Sequence, residues 1–432
     1  MSQIPDAPPK RSRRERRRQR RPQFTGNNDV RLLRGGDELF PALQRAIAGA
    51  THEVWLGTYI FHHDPAGAAI AAALAAAAAR GVRVRVVVDG FGSKASLPWL
   101  KEQLRAAGVA LAVFRPIDRW WRWLQPGSLR RLHQKLCVVD DELAFVGGIN
   151  IIDDRLDLNH GPTERPRLDF AVALQGPIVQ EVAQAASAVW ARAWLGRDFG
   201  EEMLAVLQSP EPMSRLRSLM ASLRMQDPGS QATAGWQDLP PMRAALMLRD
   251  NLLRRRTIER AYISAIQSAR QSVDLITPYF YPGHAFRHAL RHAARRGVRV
   301  RLLLQGKVDY RLAAMAAQAL YVELLAHGVH IYEYTPAWLH AKVAVVDEQW
   351  ATVGSSNIDP LSLLLNLEAN VIVRDELFAS ALARQFESAV AESREVDLKR
   401  FGGKGWRGMA SRALVAWIAY VYLRVAGVGG RY

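Results

Sequence analysis

The sequence predicts an α/β protein made of two tandem units, each a mixed β-sheet flanked by helices. Two observations carry this. A nineteen-residue stretch occurs twice, LHQKLCVVDDELAFVGGIN at 132–150 and LHAKVAVVDEQWATVGSSN at 339–357, with ten of nineteen positions identical at one offset of 207. Around each copy, apolar runs of strand character alternate with helical patterns, and that alternation builds α/β sheets.

Residues 1–28 form a basic tail expected to be disordered. Its first 22 residues set nine basic side chains against two acidic ones, a net of +7 within the chain's +17, and self-repulsion opposes packing. The first unit is assigned to 29–200. Residues 30–50 read as a short strand and then a helix with Leu39, Leu43, Ala46, Ile47 and Ala50 on one face. The run VWLGTYIF (54–61) is a strand, and the alanine-rich 66–80 a helix ended by Gly81. VRVRVVV (82–88) alternates and then becomes a buried strand; 98–107 is a helix closed by Gly108, and 109–114 a strand. The second unit, 245–400, replays this order: SVDLITPYF (272–280), RRGVRVRLLLQG (295–306) and GVHIYEYTP (328–336) match their counterparts. Between the units, 201–244 carries Pro210, Pro212, Asp227-Pro228-Gly229 and Pro240-Pro241, and reads as a linker with one helix-like segment.

Two stretches outside the repeat suit a membrane surface. Pro116 and Pro336 correspond at an offset of 220 rather than 207, so thirteen extra residues precede His133. They fall in IDRWWRWLQPGSLRRL, where Trp120, Trp121 and Trp123 alternate with arginines. That composition fits a membrane interface, and stacking on single-stranded bases would look similar. In the C-terminal segment, 401–432, ALVAWIAYVYL (413–423) is too short to span a bilayer, which needs about 20 residues. It is expected to lie against a membrane from one side. A net charge of +17 favours anionic partners: an anionic membrane, a phosphorylated substrate or nucleic acid. The lone cysteine, Cys137, excludes a disulfide framework and reads as a buried thiol.

Both copies of the repeated stretch carry H-x-K-x4-D-x6-G-[GS]-x-N: His133, Lys135, Asp140, Gly147 and Asn150, then His340, Lys342, Asp347, Gly354 and Asn357. In a strand, positions i and i+2 share a face, so each histidine projects with its lysine. A tight turn at the aspartate returns a second short strand, which brings the asparagine back toward that face. A histidine, an ammonium and a carboxamide suit a phosphate: Lys and Asn stabilise non-bridging oxygens while His attacks or moves protons. Two copies supply the two histidines that an in-line displacement requires.

The paired motifs resemble those of the phospholipase D superfamily. The resemblance implies metal-free and cofactor-free chemistry through a phosphohistidine, at the interface of two repeats related by pseudo-two-fold symmetry. His133, Lys135, His340 and Lys342 are then catalytic; Asp140 and Asp347 are counted with them as motif residues that support the fold and site. Asn150, Asn357 and Ser355 would contact phosphate, and Gly148 stands where the usual motif has serine. Glu368 is expected to orient a motif histidine, Asp169 to do the same for its own histidine, and Tyr279 to line the site. Through TPYFYPG (277–283), DFAVALQGPIV (169–179), GGIN (147–150) and SSNIDPLSLLLNLEANVIV (355–373) the resemblance narrows to bacterial cardiolipin synthases of the short branch without N-terminal membrane helices. It covers residues 29–400. It implies phosphatidyl transfer between two phosphatidylglycerol molecules, at the bacterial inner membrane, by a peripheral or monotopic protein. Hydrolysis to phosphatidic acid would use the same residues. A nuclease of the superfamily fits less well, given the tryptophan-rich insertion, the apolar C-terminus and two fused repeats, so nucleic acid is the disfavoured partner.

Overall fold

The computed structural model describes residues 22–116, 130–207, 240–249, 256–307, 320–358 and 366–398, with side chains as far as residue 194 in the second range. The expectations for the basic tail through residue 21, the insertion at 117–129 and the C-terminal segment from 399 fall outside those residues.

The first repeat runs β1 (Thr25–Arg34), α1 (Gly35–Gly49), β2 (Glu53–Thr58), α2 (Pro65–Ala79), β3 (Arg83–Asp89), α3 (Leu97–Ala106) and β4 (Ala110–Phe114). It continues with β5 (Arg131–Leu132), β6 (Lys135–Val139), β7 (Leu143–Gly147), a small ribbon of β8 (Leu156–Asp157) and β9 (Gly161–Pro162), β10 (Phe170–Gln175) and α4 (Ile178–Leu207). The second comprises β11 (Met242–Arg249), α5 (Thr257–Ser268), β12 (Ser272–Thr277), α6 (His284–Arg295), β13 (Arg299–Gln305), β14 (Val329–Tyr334), β15 (Val343–Val346), β16 (Trp350–Gly354), β17 (Asn366–Arg374), α7 (Glu376–Ala391) and β18 (Arg394–Glu395). The span 201–244 is therefore not all linker. Helix α4 runs on to Leu207, and β11 begins at Met242.

The strands form one mixed sheet in the order β18-β14-β13-β12-β15-β16-β17-β11-β1-β10-β7-β6-β2-β3-β4, with β5 paired to β17. Read outward from the β11–β1 junction, the two halves are the same arrangement apart from β18 at one edge. In each, three strands are parallel (β2-β3-β4; β12-β13-β14) and the hairpin carrying the motif is antiparallel to its neighbours. Asn28 secures the junction: its Nδ2 donates to Met242 O at 3.2 Å and its Oδ1 accepts the Ile178 N–H at 3.0 Å.

Strand composition explains the burial. β2, β6, β12 and β15 are buried throughout, as expected of central strands covered by helices on both faces. One core lies under α1–α3 and a second under α5 and α6. The third joins the halves: Val182, Val189 and Trp190 of α4 and Phe378, Leu382 and Phe386 of α7 belong to one apolar cluster. Cys137 is in the α1–α3 core, 2% exposed, and burial pushes its thiol up to about 12. Among the described residues, no helix is long and apolar enough to cross a membrane.

Candidate active site

Each motif histidine sits where its repeat touches the other. Leu132 pairs in parallel with Leu367, and the His133 N–H donates to Leu367 O at 3.0 Å. The second half repeats this. Leu339 bridges Leu168, the His340 N–H donates to Leu168 O at 2.9 Å, and the Leu168 N–H to Trp338 O at 2.8 Å. All four leucines point into the apolar core. Alternation in extended chain therefore turns their neighbours toward the site.

His133 thus stands beside Glu368, and His340 beside Asp169. His133 Nδ1 is 2.9 Å from Glu368 Oε2, and His340 Nδ1 is 2.6 Å from Asp169 Oδ2. The expectation that Asp169 serves its own histidine is corrected: the acids are exchanged between repeats. Leu168 pairs with Leu339, so the ring that meets the following residue is His340. A carboxylate at Nδ1 fixes the tautomer and leaves Nε2 to act.

The ammonium groups face the same space. Lys135 Nζ donates to His133 O at 2.8 Å and Lys342 Nζ to His340 O, and the two side chains are almost fully buried. Burial, reinforced by repulsion from Lys342, pushes the Lys135 ammonium down to about 7. Burial also lowers His133, against the pull of Glu368. It lowers His340 well below the ordinary imidazole value, and Lys342, Arg167, Lys135 and His133 push the same way. Burial alone would raise Glu368; attraction to His133 and the hydrogen bond between them outweigh it and hold the carboxyl below its usual range. Asp169 is raised by burial, with Lys342 opposing. The His340 side chain is 24% exposed against 11% for His133, so His340 is the ring nearer to solvent.

The other expected residues fall in three places. Asn150 and Asn357 are buried beside the motif hairpins; Asn150 Oδ1 accepts the Ile60 N–H at 3.3 Å, which leaves its NH2 end to donate. Ser355, expected against phosphate, instead lies behind Glu368: fully buried, it donates to Glu368 Oε2 at 2.6 Å and accepts the Ala369 N–H at 3.0 Å. Its hydroxyl proton is committed to the acid. Asp140 and Asp347 are at the far ends of the hairpins, roughly 17 Å along the strand from the lysines at about 3.3 Å per residue. Asp140 accepts the N–H groups of Thr51, His52 and Glu53, and Asp347 those of Arg270, Gln271 and Ser272. Counting them as catalytic is corrected: each aspartate ties the turn to the preceding βα unit and touches no reacting group.

Tyr279 is half-buried just beyond β12. Tyr59 places its ring against a motif histidine, 5.1 Å from His133 between centroids and 5.6 Å from Lys135 Nζ. Thr58 and Thr277 each donate to the carbonyl two residues on, which aligns Tyr59 with Pro278 in the other half. Sequence reasoning also missed Asp89 and Gln305. Asp89 Oδ2 accepts the Leu132 N–H at 2.8 Å, and Gln305 Oε1 the Leu339 N–H at 3.2 Å. Both fix the residue before the histidine. The signal was present in VRVRVVVDG and VRVRLLLQG, where a polar residue ends an apolar strand at the same place.

Comparison with known proteins agrees with the doubled fold. Residues 43–163 and 262–390 match the family described as cardiolipin synthase, PLD-like domain. Cardiolipin synthase B of Escherichia coli K12 is 35% identical over 408 residues, covering 92% of this chain and 88% of that protein. Cardiolipin synthase A of Pseudomonas fluorescens is 31% identical over 370 residues, covering 86% and 70%. Among solved structures, phosphatidylserine synthase of Haemophilus influenzae superposes with a TM-score of 0.62 at 13% identity, covering 96% of this chain and 98% of that one, a likeness of fold. With the double motif, the doubled sheet and these relatives together, the chain belongs to the cardiolipin synthase family of phospholipase D-like enzymes.

Proposed function

We propose that this chain transfers a phosphatidyl group from one phosphatidylglycerol to the hydroxyl of another, giving cardiolipin and glycerol through a phosphohistidine. The observation that carries the reading is the exchanged pairing of His133 with Glu368 and His340 with Asp169, which aims two imidazoles at one space lined by two buried ammoniums. Lys135, Lys342, Asn150 and Asn357 hold the non-bridging oxygens, in place of solvent, as charge shifts in the transition state.

His133 is the nucleophile. Its Nδ1–H donates to an ionised Glu368, whose charge offsets the positive phosphoimidazole that forms when Nε2 attacks phosphorus. The bond from phosphorus to the glycerol oxygen breaks, and protonated His340 gives that oxygen its proton. A depressed pKa makes His340 a strong acid once protonated, and the bound phosphodiester's negative charge favours the protonated form. Neutral His340 then takes the proton of the incoming hydroxyl, whose oxygen attacks phosphorus as the bond to His133 breaks. The more exposed ring suits this role, because two alcohols must pass it.

The enzyme works as a peripheral or monotopic protein on the bacterial inner membrane. The arginine-rich tail, the tryptophan-rich insertion and the apolar C-terminal segment support attachment to anionic lipid by their composition. Purified protein incubated with phosphatidylglycerol liposomes tests the reading. Cardiolipin and glycerol, both lost in His133→Ala, are expected. Phosphatidic acid and glycerol without cardiolipin would replace transfer by hydrolysis.

A further inference from the structure

The site is symmetric at its centre and asymmetric one step outward. Beside His133, the adjacent site-facing positions are Arg131 and Asn366; beside His340 they are Trp338 and Arg167. Arg131 is occupied within the fold, donating to Arg115 O at 3.2 Å and lying 3.8 Å from Asp89. The His340 side is built differently. The Trp338 indole has two groups beside it, the His160 ring stacked at 4.6 Å and Lys307 Nζ 5.9 Å from its centroid. His160 comes from the β8–β9 ribbon of the other repeat, which Asp157 fixes by accepting from His160 Nδ1 at 2.8 Å. Arg167 is tied to the same ribbon through Leu156 O and Asp157. Lys307 has Pro336 O at 3.5 Å and no carboxylate partner among the described residues.

We propose that Lys307 and Trp338 form the acceptor subsite: Lys307 binds the phosphodiester of the second lipid while Trp338 packs against its glycerol. This rests on the transfer reaction above and on His340 as its acid–base. The acceptor hydroxyl must reach His340 Nε2, and its phosphorus lies one glycerol away, about 6 Å over five single bonds. Trp338 precedes His340 by two residues in extended chain, a spacing of roughly 6.6 Å. Lys307, with its Nζ 5.9 Å from the centroid of that indole, is therefore placed to meet the acceptor's phosphate when the hydroxyl meets His340. The donor phosphate needs none of these groups, since the motif lysines and asparagines hold it. Water and small neutral alcohols carry no anionic group for Lys307 to bind. The subsite thus concentrates a phosphate-bearing alcohol at the phosphohistidine, where proximity favours it over competitors.

The test makes two acceptors compete for one intermediate. Phosphatidylglycerol in mixed micelles is incubated with isotopically labelled glycerol. Cardiolipin reports the lipid acceptor, and labelled phosphatidylglycerol reports glycerol. We expect Lys307→Gln to lower the ratio of cardiolipin to labelled phosphatidylglycerol about tenfold, and Lys307→Arg to restore it. Because both products leave the same phosphohistidine, damage to the fold lowers them together and leaves the ratio alone. An unchanged ratio in Lys307→Gln overturns the subsite. Wild-type protein that makes neither product overturns the transfer reaction itself.

Discussion

Glu368 Oε2 lies 2.9 Å from Nδ1 of His133, a residue 235 positions earlier in the other repeat, and Asp169 meets His340 in the same way across 171 positions. Neither repeat alone contains a motif histidine with its acid. Glu368→Gln is expected to lower kcat about 10⁴-fold, the loss seen when a histidine's buried acid is made neutral. KM should change far less, because the phosphate ligands remain. Steady-state kinetics on phosphatidylglycerol micelles measures this; a loss confined to KM would make Glu368 a substrate-binding group.

The nucleophile can be fixed by trapping. In His340→Ala the acid is gone but His133 retains Glu368. A substrate whose leaving group needs no proton, such as a p-nitrophenyl phosphodiester, should leave a phosphorylated protein that water clears slowly. Peptide mapping under alkaline conditions should find the adduct on His133. An adduct on His340 in the reciprocal His133→Ala protein, and none on His133, would reverse the two roles.

Lys135 makes a prediction about pH. Its ammonium is pushed down to about 7 by burial and by Lys342. Above that value the free site loses a positive charge. Sulfate keeps a constant charge across the range, so its inhibition constant should rise about tenfold between pH 6 and pH 8.5, and the rise should vanish in Lys135→Met. A flat profile in wild type would mean the ammonium stays charged.

The same shift has a consequence for stability. The unfolded chain holds the Lys135 proton up to about pH 10.4 and the folded chain only to about 7. Between those values the unfolded state binds more protons, so this group's contribution to stability rises with pH. At pH 7 and below, burying the charge costs roughly 3–5 kcal/mol at 1.36 kcal/mol per pKa unit. Lys135→Met should raise the melting temperature at pH 6 while abolishing turnover. Equal melting temperatures would show that the local polar groups fully compensate the buried ammonium.

Most of this architecture was legible because it is written twice. The 207-residue offset carried the repeat, the hairpins and the placement of His133, Lys135, His340 and Lys342. What was not legible depends on partners that are far apart in sequence. Spacing alone allowed Asp169 to serve either histidine; the parallel bridge of Leu168 to Leu339 decides it. Ser355 and Asp140 have phosphate-binding and catalytic residue types, yet their hydrogen bonds are taken by Glu368 and by the Thr51–Glu53 backbone. Tyr59 was hidden for another reason: its counterpart is a proline, so the repeat did not mark it.

Gly148 tests how far the two halves can be exchanged. It occupies the place of Ser355, and the sequence suggested a phosphate contact missing from one half. The structure gives a different cause. A Cβ at 148 would come within 2.4 Å of Asp169 Oδ1, whereas Ser355 is accommodated because Glu368 is one methylene longer and accepts its hydroxyl at 2.6 Å. The pairs Gly148–Asp169 and Ser355–Glu368 are thus two solutions to one packing problem. Gly148→Ser should displace the Asp169 carboxylate from His340 and destabilise the fold by about 1–3 kcal/mol, the usual range for overpacking. The double variant Gly148→Ser with Asp169→Glu should recover both activity and melting temperature, because it recreates the second half's arrangement in the first. Recovery of stability without activity would show that His340 requires the shorter acid.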